Sequence, residues 1–200
     1  IWFIKVIQKF IEISVTAQPF IMGVVISVVM GILLTMPTSS AAIWIAIASG
    51  STSDAMMLAG GAAVVGCAAQ MVGFAVMSFK ENGVGGLISQ GIGTSMLQIP
   101  NIMKHPLIFV PPIIASAIVG PIATCVFKLR CTAGGGGMGT SGLVGVFGAV
   151  EASKGVVSDA NIALGIVFLM FVIPAVVSLL FRILFEKKGW IKGEWMKLDV

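Results

Sequence analysis

Residues 131–150 read CTAGGGGMGTSGLVGVFGAV, and the fold follows from how this stretch crosses or enters a bilayer. It lies between Arg130 and Glu151 and carries no charge over 20 residues, the length and polarity of a membrane span. Eight of these residues are glycine, and Gly134 to Gly137 are consecutive. Each glycine disfavours a helix by about 1 kcal/mol relative to alanine, so a straight helix through the run is not expected. At membrane depth an unpaired backbone group is costly, and non-helical backbone survives only where protein buries it or it lines a wet cavity. The stretch therefore reads as a re-entrant hairpin or broken helix facing a translocation path.

Composition agrees with a bilayer setting. The 200 residues are 58% hydrophobic and 10% charged, with a mean hydropathy of +1.08. Soluble domains carry about 25% charged residues, so this is an integral membrane protein. Long apolar runs without polar–apolar alternation make it all-α rather than a barrel. Residues 1–16 form an amphipathic helix, with Lys5, Gln8, Lys9 and Glu12 in one stripe against Phe3, Ile4, Ile7, Phe10 and Ile11. That segment has no small-residue cleavage site of a signal peptide. The net charge of +4 resides largely in the C-terminal tail and suits an anionic membrane surface rather than nucleic acid. Cys67, Cys125 and Cys131 lack metal-ligand spacing, so they read as packing residues, and no metal or cofactor is expected.

Four full spans are expected, at Pro19–Met36, Ala55–Phe79, Leu107–Phe127 and Asn161–Leu180. Pro111, Pro112, Pro121 and Pro174 predict kinks in the last two. Between the first two lies Thr38 to Gly50, too short to cross, which reads as a half-helix. Val84 to Lys104 is uncharged until its last residue but glycine-rich, and reads as interfacial or partly re-entrant. The fold class is thus a polytopic helical membrane protein with about four spans and two re-entrant or half-helix segments, Met36 to Gly50 and Cys131 to Val150. The basic tail, residues 186–200, with Trp190 and Trp195 as interfacial anchors, places the C-terminus in the cytoplasm. Lys5, Lys9, Lys80 and Lys104 then fall on the same side, while Lys128, Arg130 and Lys154 fall outside, against the rule.

The two broken segments share a short echo, Met36-Pro37-Thr38-Ser39 and Met138-Gly139-Thr140-Ser141. Paired interruptions in two halves of a chain point to a carrier's binding site. The candidate solute-binding residues are Thr38, Ser39, Ser40, Gly135, Gly136, Gly137, Thr140 and Ser141, with Gln18, Gln98, His105 and Glu151 as weaker candidates. Hydroxyls and open backbone suit a sugar or polyol, which wants neutral donors and acceptors. The competing use of such hydroxyls is to bond their own backbone or a neighbouring helix. Gly139-Thr140-Ser141-Gly142 also reads as G-x-S-G, but a nucleophilic serine needs a nearby base. The only histidine, His105, sits at a span boundary, so no catalytic nucleophile is expected.

Gln18-Pro19-Phe20-Ile21-Met22-Gly23 and Met36-Pro37-Thr38-Ser39-Ser40-Ala41-Ala42 resemble a bacterial membrane family. So do Gly91-Ile92-Gly93-Thr94-Ser95-Met96-Leu97-Gln98, Pro100-Asn101-Ile102-Met103-Lys104 and the glycine hairpin. The family is that of phosphotransferase-system sugar permease IIC subunits, perfringolysin-O-regulator-like group. The resemblance implies a multi-pass permease of the bacterial cell membrane, residues 1–200 forming one permease domain that matches the C-terminal half of longer members. It implies a sugar or polyol substrate and a separate phosphoryl-donating IIB protein; membrane lipid and a second copy of the chain in a homodimer are the further partners expected. It also leaves open a membrane sensor or regulator, or an uncoupled secondary carrier of the same fold. One departure is Gly139, where related hairpins often carry proline.

Overall fold

The computed structural model describes residues 2–198; Ile1, Asp199 and Val200, the outermost residues of the two expected terminal segments, lie outside the described residues. Helices account for nearly all regular structure: α1 (Trp2–Ala17), α2 (Pro19–Thr35), α3 (Ser40–Ala48), α4 (Asp54–Met77), α5 (Phe79–Ile88), α6 (Ile99–Lys104), α7 (Pro106–Cys125), α8 (Val144–Ser153) and α9 (Asp159–Lys187). Helices α4, α7 and α9 are long and apolar enough to cross a membrane. Helix α2 is apolar with 17 residues and, at 1.5 Å per residue, extends roughly 25 Å. Local chemistry sets the boundaries. Pro19 opens α2, and Pro111 and Pro112 fall in the first turn of the α-helical part of α7, which begins at Val110 after a 3-10 turn over Pro106–Phe109; in such first turns the missing N–H groups are not needed. Ser53 caps α4 by accepting from the Met56 N–H at 3.2 Å. In α9 the expected break at Pro174 takes the form of π-helical turns over Ile166–Val172 just before it.

Small residues let α2, α4 and α7 approach closely. Gly66 lies directly on the Ser27 backbone, and a methyl group on Gly31 would sit 2.8 Å from the Gly66 carbonyl. Gly23 faces Gly120 and Pro121 of α7 in the same way. In a bilayer, such dispersion contacts and interhelical hydrogen bonds replace the hydrophobic effect as the force between helices. Ser27 Oγ donates to the Ser116 carbonyl at 2.8 Å, and Gln70 Nε2 donates to Ser116 Oγ at 3.3 Å. These contacts fix direction. Along α4 the positions Gly66, Gln70 and Gly73 meet Ser116 and then Pro112, so α4 and α7 are antiparallel.

One end of the bundle carries the Asp54 terminus of α4, and the other carries Met77. At the Asp54 end, Arg130 pairs with Asp54 through two hydrogen bonds of 2.5 and 2.9 Å, and Glu12 accepts from the Ser51 and Ser53 hydroxyls. The Arg130 charge that conflicted with the orientation rule is thus buried and neutralised locally. At the Met77 end, Arg182 bridges Glu81 and Glu186. The C-terminal segment folds back there instead of extending away. Asn82, Gln98 and Asn101 donate to the Met196 and Lys197 carbonyls at 2.8 to 3.0 Å, and His105 stacks on Trp195 with ring centroids 3.9 Å apart.

Candidate functional site

The glycine stretch is not one helix. From Leu129 to Thr140 the backbone is irregular and runs alongside α4 from the level of Gly60 and Gly61 to that of Met71. That is an advance of roughly 16 Å at the rise of an α-helix. The chain turns at Ser141–Leu143 and returns as α8, with Gly145 packed on Gly139 and Gly148 beside Gly135. Ser153 closes the loop by accepting from the Arg130 N–H at 2.9 Å and donating to the Arg130 carbonyl. Both limbs therefore end at the Asp54 end of the bundle, which makes this a re-entrant hairpin. Glycine is required where the limb touches other backbone. A methyl group on Gly137 would lie 2.6 Å from the Ser40 carbonyl, and one on Gly139 would lie 2.8 Å from the Ala68 nitrogen. Gly139 also has φ +57°, which disfavours any side chain. Leu143, a non-glycine residue at φ +60°, adds strain of about 1–2 kcal/mol at the tip.

A second re-entrant segment enters from the other end. Helix α5 breaks at Gly83 (φ +60°), continues to Ser89, unwinds through π-helical turns at Ser89–Gly93 and reverses at Thr94. It returns through a short 3-10 turn and α6 to the Met77 end. Gln90, buried, ties the segment together by donating to Ser78 Oγ at 2.7 Å and accepting from Gln98 Nε2 at 2.9 Å.

The two tips meet. Thr140 Oγ1 donates to the Gly91 carbonyl at 2.6 Å, and Ser141 Oγ donates to the Gly93 carbonyl at 3.0 Å. Thr140 is fully buried, whereas Gly93, Gly142 and Leu143 are exposed. Ser95 Oγ shares a 2.9 Å hydrogen bond with Thr35 Oγ1 at the end of α2. The meeting point lies at Met71 to Ala75, nearer the Met77 end of α4 than its middle. No charged residue occurs from Asn82 to Met103 or from Cys131 to Val150, so both tips are electrically neutral. Beside Gly91 and Ile92 runs an apolar groove of about 420 Å³, walled by Val72, Val76 and Phe171.

The candidates from sequence fall into several places. Ser40 is buried and donates to the Gly137 carbonyl at 2.7 Å, joining the half-helix α3 to the glycine run, with Gly136 flat against the buried Trp44. The Trp44 indole N–H beside it has no hydrogen-bond partner among the described residues. Gly135 lies between Cys131 and Gly148 inside the hairpin. Thr140 and Ser141 form the tip contact. Thr38 and Ser39 are exposed and bond locally, Thr38 to the Leu33 carbonyl at 2.8 Å and Ser39 to the Ala42 N–H at 3.3 Å. Gln98 and His105 lie under the C-terminal segment. Gln18 precedes α2 and Glu151 is exposed on α8, both toward the Asp54 end. Sequence reasoning missed the partner tip, Gly91, Gly93, Thr94 and Ser95. The signal was present: residues 91–97 and 137–143 share the pattern G-x-G-T-S-x-L. Among the described residues no cluster could hold a metal ion.

The model of a protein family described as phosphotransferase system, EIIC, matches residues 2–198. No curated protein and no solved structure matches the chain.

Proposed function

Because the chain belongs to the phosphotransferase system EIIC family, we propose that it is the solute-translocating part of a bacterial sugar or polyol uptake system, with its solute at the re-entrant tips. The observation that carries this reading is the tip-to-tip contact of two re-entrant segments from opposite ends of the bundle. Interrupted segments of this kind bring neutral backbone and hydroxyl groups together inside a membrane protein, where carriers bind solutes. Thr140, Ser141, Ser40 and the carbonyls of Gly91, Gly93 and Gly137 supply donors and acceptors without charge, which fits a polyhydroxylated neutral solute. Thr38 and Ser39 serve the same site from the exposed entry to α3. Phosphoryl transfer belongs to a separate IIB protein, which docks at the Met77 end, where the exposed lysines Lys80, Lys104, Lys192 and Lys197 gather. That end faces the cytoplasm under the positive-inside rule. Within the family the chain groups with the perfringolysin-O-regulator-like members on the residues quoted above. It works as a homodimer in contact with lipid, to which Phe3, Phe10 and Ile13 of α1 offer an exposed apolar stripe.

Uptake of radiolabelled sugars and polyols by vesicles, with and without a phosphoryl-donating IIB protein, tests this reading. Uptake that requires the donor supports it. Uptake without the donor would favour an uncoupled carrier, and absence of uptake and of solute binding under both conditions would favour a sensor. Ser141→Ala should weaken solute affinity roughly two- to tenfold, the loss of one hydrogen bond of about 0.5–1.5 kcal/mol.

A further inference from the structure

The two tips carry one sequence pattern. Residues 91–97 read Gly-Ile-Gly-Thr-Ser-Met-Leu and residues 137–143 read Gly-Met-Gly-Thr-Ser-Gly-Leu, identical at five of seven positions. Each follows a membrane-length helix at similar spacing: α4 ends at Met77, 14 residues before Gly91, and α7 ends at Cys125, 12 residues before Gly137. Since α4 and α7 are antiparallel, the two units of span plus re-entrant segment have opposite topology. Internal repeats of inverted topology are a common way to build a carrier with two alternative access states.

The two copies are not in the same state. Thr140 and Ser141 reach across to the other tip. Their counterparts stay with their own unit or with α2: Thr94 Oγ1 accepts from the Met96 N–H at 3.2 Å, and Ser95 bonds Thr35. The backbone differs too, Thr94 being extended (φ −160°, ψ 142°) and Thr140 turned (φ −88°, ψ 0°). The hairpin from the Asp54 end penetrates to Met71, whereas a methyl group on Gly91 of the opposite tip would meet Ala75. Packing is equally lopsided. Gly139 is pressed against α4, while a methyl group on Gly93 would meet nothing within 4 Å, and the apolar groove leaves Gly91 and Ile92 room to advance.

We propose that these units are inverted repeats whose tips exchange roles, so that Thr94 and Ser95 are the second half of the solute site. In the exchanged state Thr94 donates to the Gly137 carbonyl and Ser95 to the Gly139 carbonyl, while Thr140 turns back to accept from the Gly142 N–H, as Thr94 now does from Met96. The tip carrying Gly91 advances along α4, and the glycine hairpin withdraws toward Asp54. Ser40, which now holds the Gly137 carbonyl, shares it through the second lone pair or releases it. One neutral polyhydroxylated solute is gripped by alternate pairs of hydroxyls, first from one face and then from the other. This deepens the carrier reading given above and rests on it.

Distances between spin labels test the exchange in the full chain in lipid nanodiscs. Labels at Phe79→Cys and Val144→Cys, both exposed positions, report the gap between the end of α4 and the hairpin tip in a Cys125→Ser background. Cys67 and Cys131 are buried and stay unlabelled. Two populations are expected, the longer by about one helical turn, ~5 Å. Thr140→Ala with Ser141→Ala should raise the longer population about tenfold relative to the shorter. Gly93→Ala should lower it about tenfold, because its methyl group meets nothing within 4 Å in the observed state but would be pressed against α4 in the exchanged one, as at Gly139 now. Gly93→Ala leaves the observed tip contacts in place and reads the equilibrium even if the double variant does not fold, and Thr140→Ser should keep the parent ratio. One unchanging distance in every variant, or a shift in the same direction for the double variant and Gly93→Ala, would overturn the proposal. The measurement needs no solute, so loss of the exchange and loss of uptake are separate outcomes.

Discussion

Within the run of four glycines, alanine should be tolerated at one position and damaging at another three residues away. A methyl group on Gly137 would lie 2.6 Å from the Ser40 carbonyl oxygen and 2.8 Å from the Ala41 Cα, both backbone atoms that cannot rotate aside. Ordinary contact at such a place is about 3.4 Å or more, so α3 must retreat from the hairpin by most of an ångström. Overpacking of this kind costs about 1–3 kcal/mol. The retreat also stretches the 2.7 Å bond from Ser40 to the Gly137 carbonyl, a further ~0.5–1.5 kcal/mol. A methyl group on Gly134 would meet nothing within 4 Å, and that residue's φ is not positive. Gly134→Ala should therefore be neutral, or stabilising by about 0.4–1 kcal/mol through the unfolded chain. At about 2–4 °C per kcal/mol for a chain of this size, Gly137→Ala should lower the midpoint of thermal unfolding by roughly 3–18 °C. Gly134→Ala should leave it unchanged or slightly raised. Tryptophan emission of the detergent-solubilised protein, with Trp44 against Gly136 as the local probe, follows both variants. Equal effects at the two positions would mean that α3 does not dock on the hairpin as described.

Other positions yield further expectations. Glu81→Gln removes the charge facing Arg182, whose side chain is only 5% exposed, and leaves Glu186 as its sole carboxylate; a loss of about 2 kcal/mol in chemical denaturation is expected, and no loss would show the pair to be dispensable. Gly66→Val should separate α2 from α4, because Gly66 lies directly on the Ser27 backbone, and should reduce the yield of monodisperse protein on size exclusion. Donation from Ser51 and Ser53 holds the Glu12 carboxyl below its ordinary value. The folded pKa is depressed, so the stabilisation is complete above the ordinary carboxylate range and is lost as pH falls through the lowered value. Proteolysis of α1 should thus be constant at neutral pH and rise only under acid conditions, and Glu12→Gln should abolish that acid dependence.

The fold was legible where a single physical rule governs a stretch. Uncharged apolar runs located the four bundle helices, although α9 runs on to Lys187 past the expected end at Leu180, and the four glycines of residues 134–137 correctly denied a continuous helix to residues 131–150. The half-helix at Ser40–Ala48 was readable from its length alone. The second re-entrant segment was less so. Residues 84–104 have weak helix propensity but enough apolar character for several depths, and their placement depends on distant contacts, Gln98 on Met196 and Thr35 on Ser95. The site was half legible for the same reason. Serine and threonine announce hydrogen bonds but not their partners, so Thr38 and Ser39 looked the same in sequence as Ser40, although only Ser40 is buried against Gly137. Where the tips meet along α4 depends on the length of each limb, and irregular backbone gives none.

Side-specific labelling of single cysteines at Lys80, Lys104, Lys128 and Lys154 in a Cys125→Ser background asks most directly whether both segments re-enter. Lys128 and Lys154 flank the glycine hairpin, and Lys80 and Lys104 flank the opposing segment. A membrane-impermeant thiol reagent should modify the first two from one face only and the second two from the other face only. Labelling of Lys128 and Lys154 from opposite faces would make the glycine stretch a span, and the tip-to-tip site could not exist.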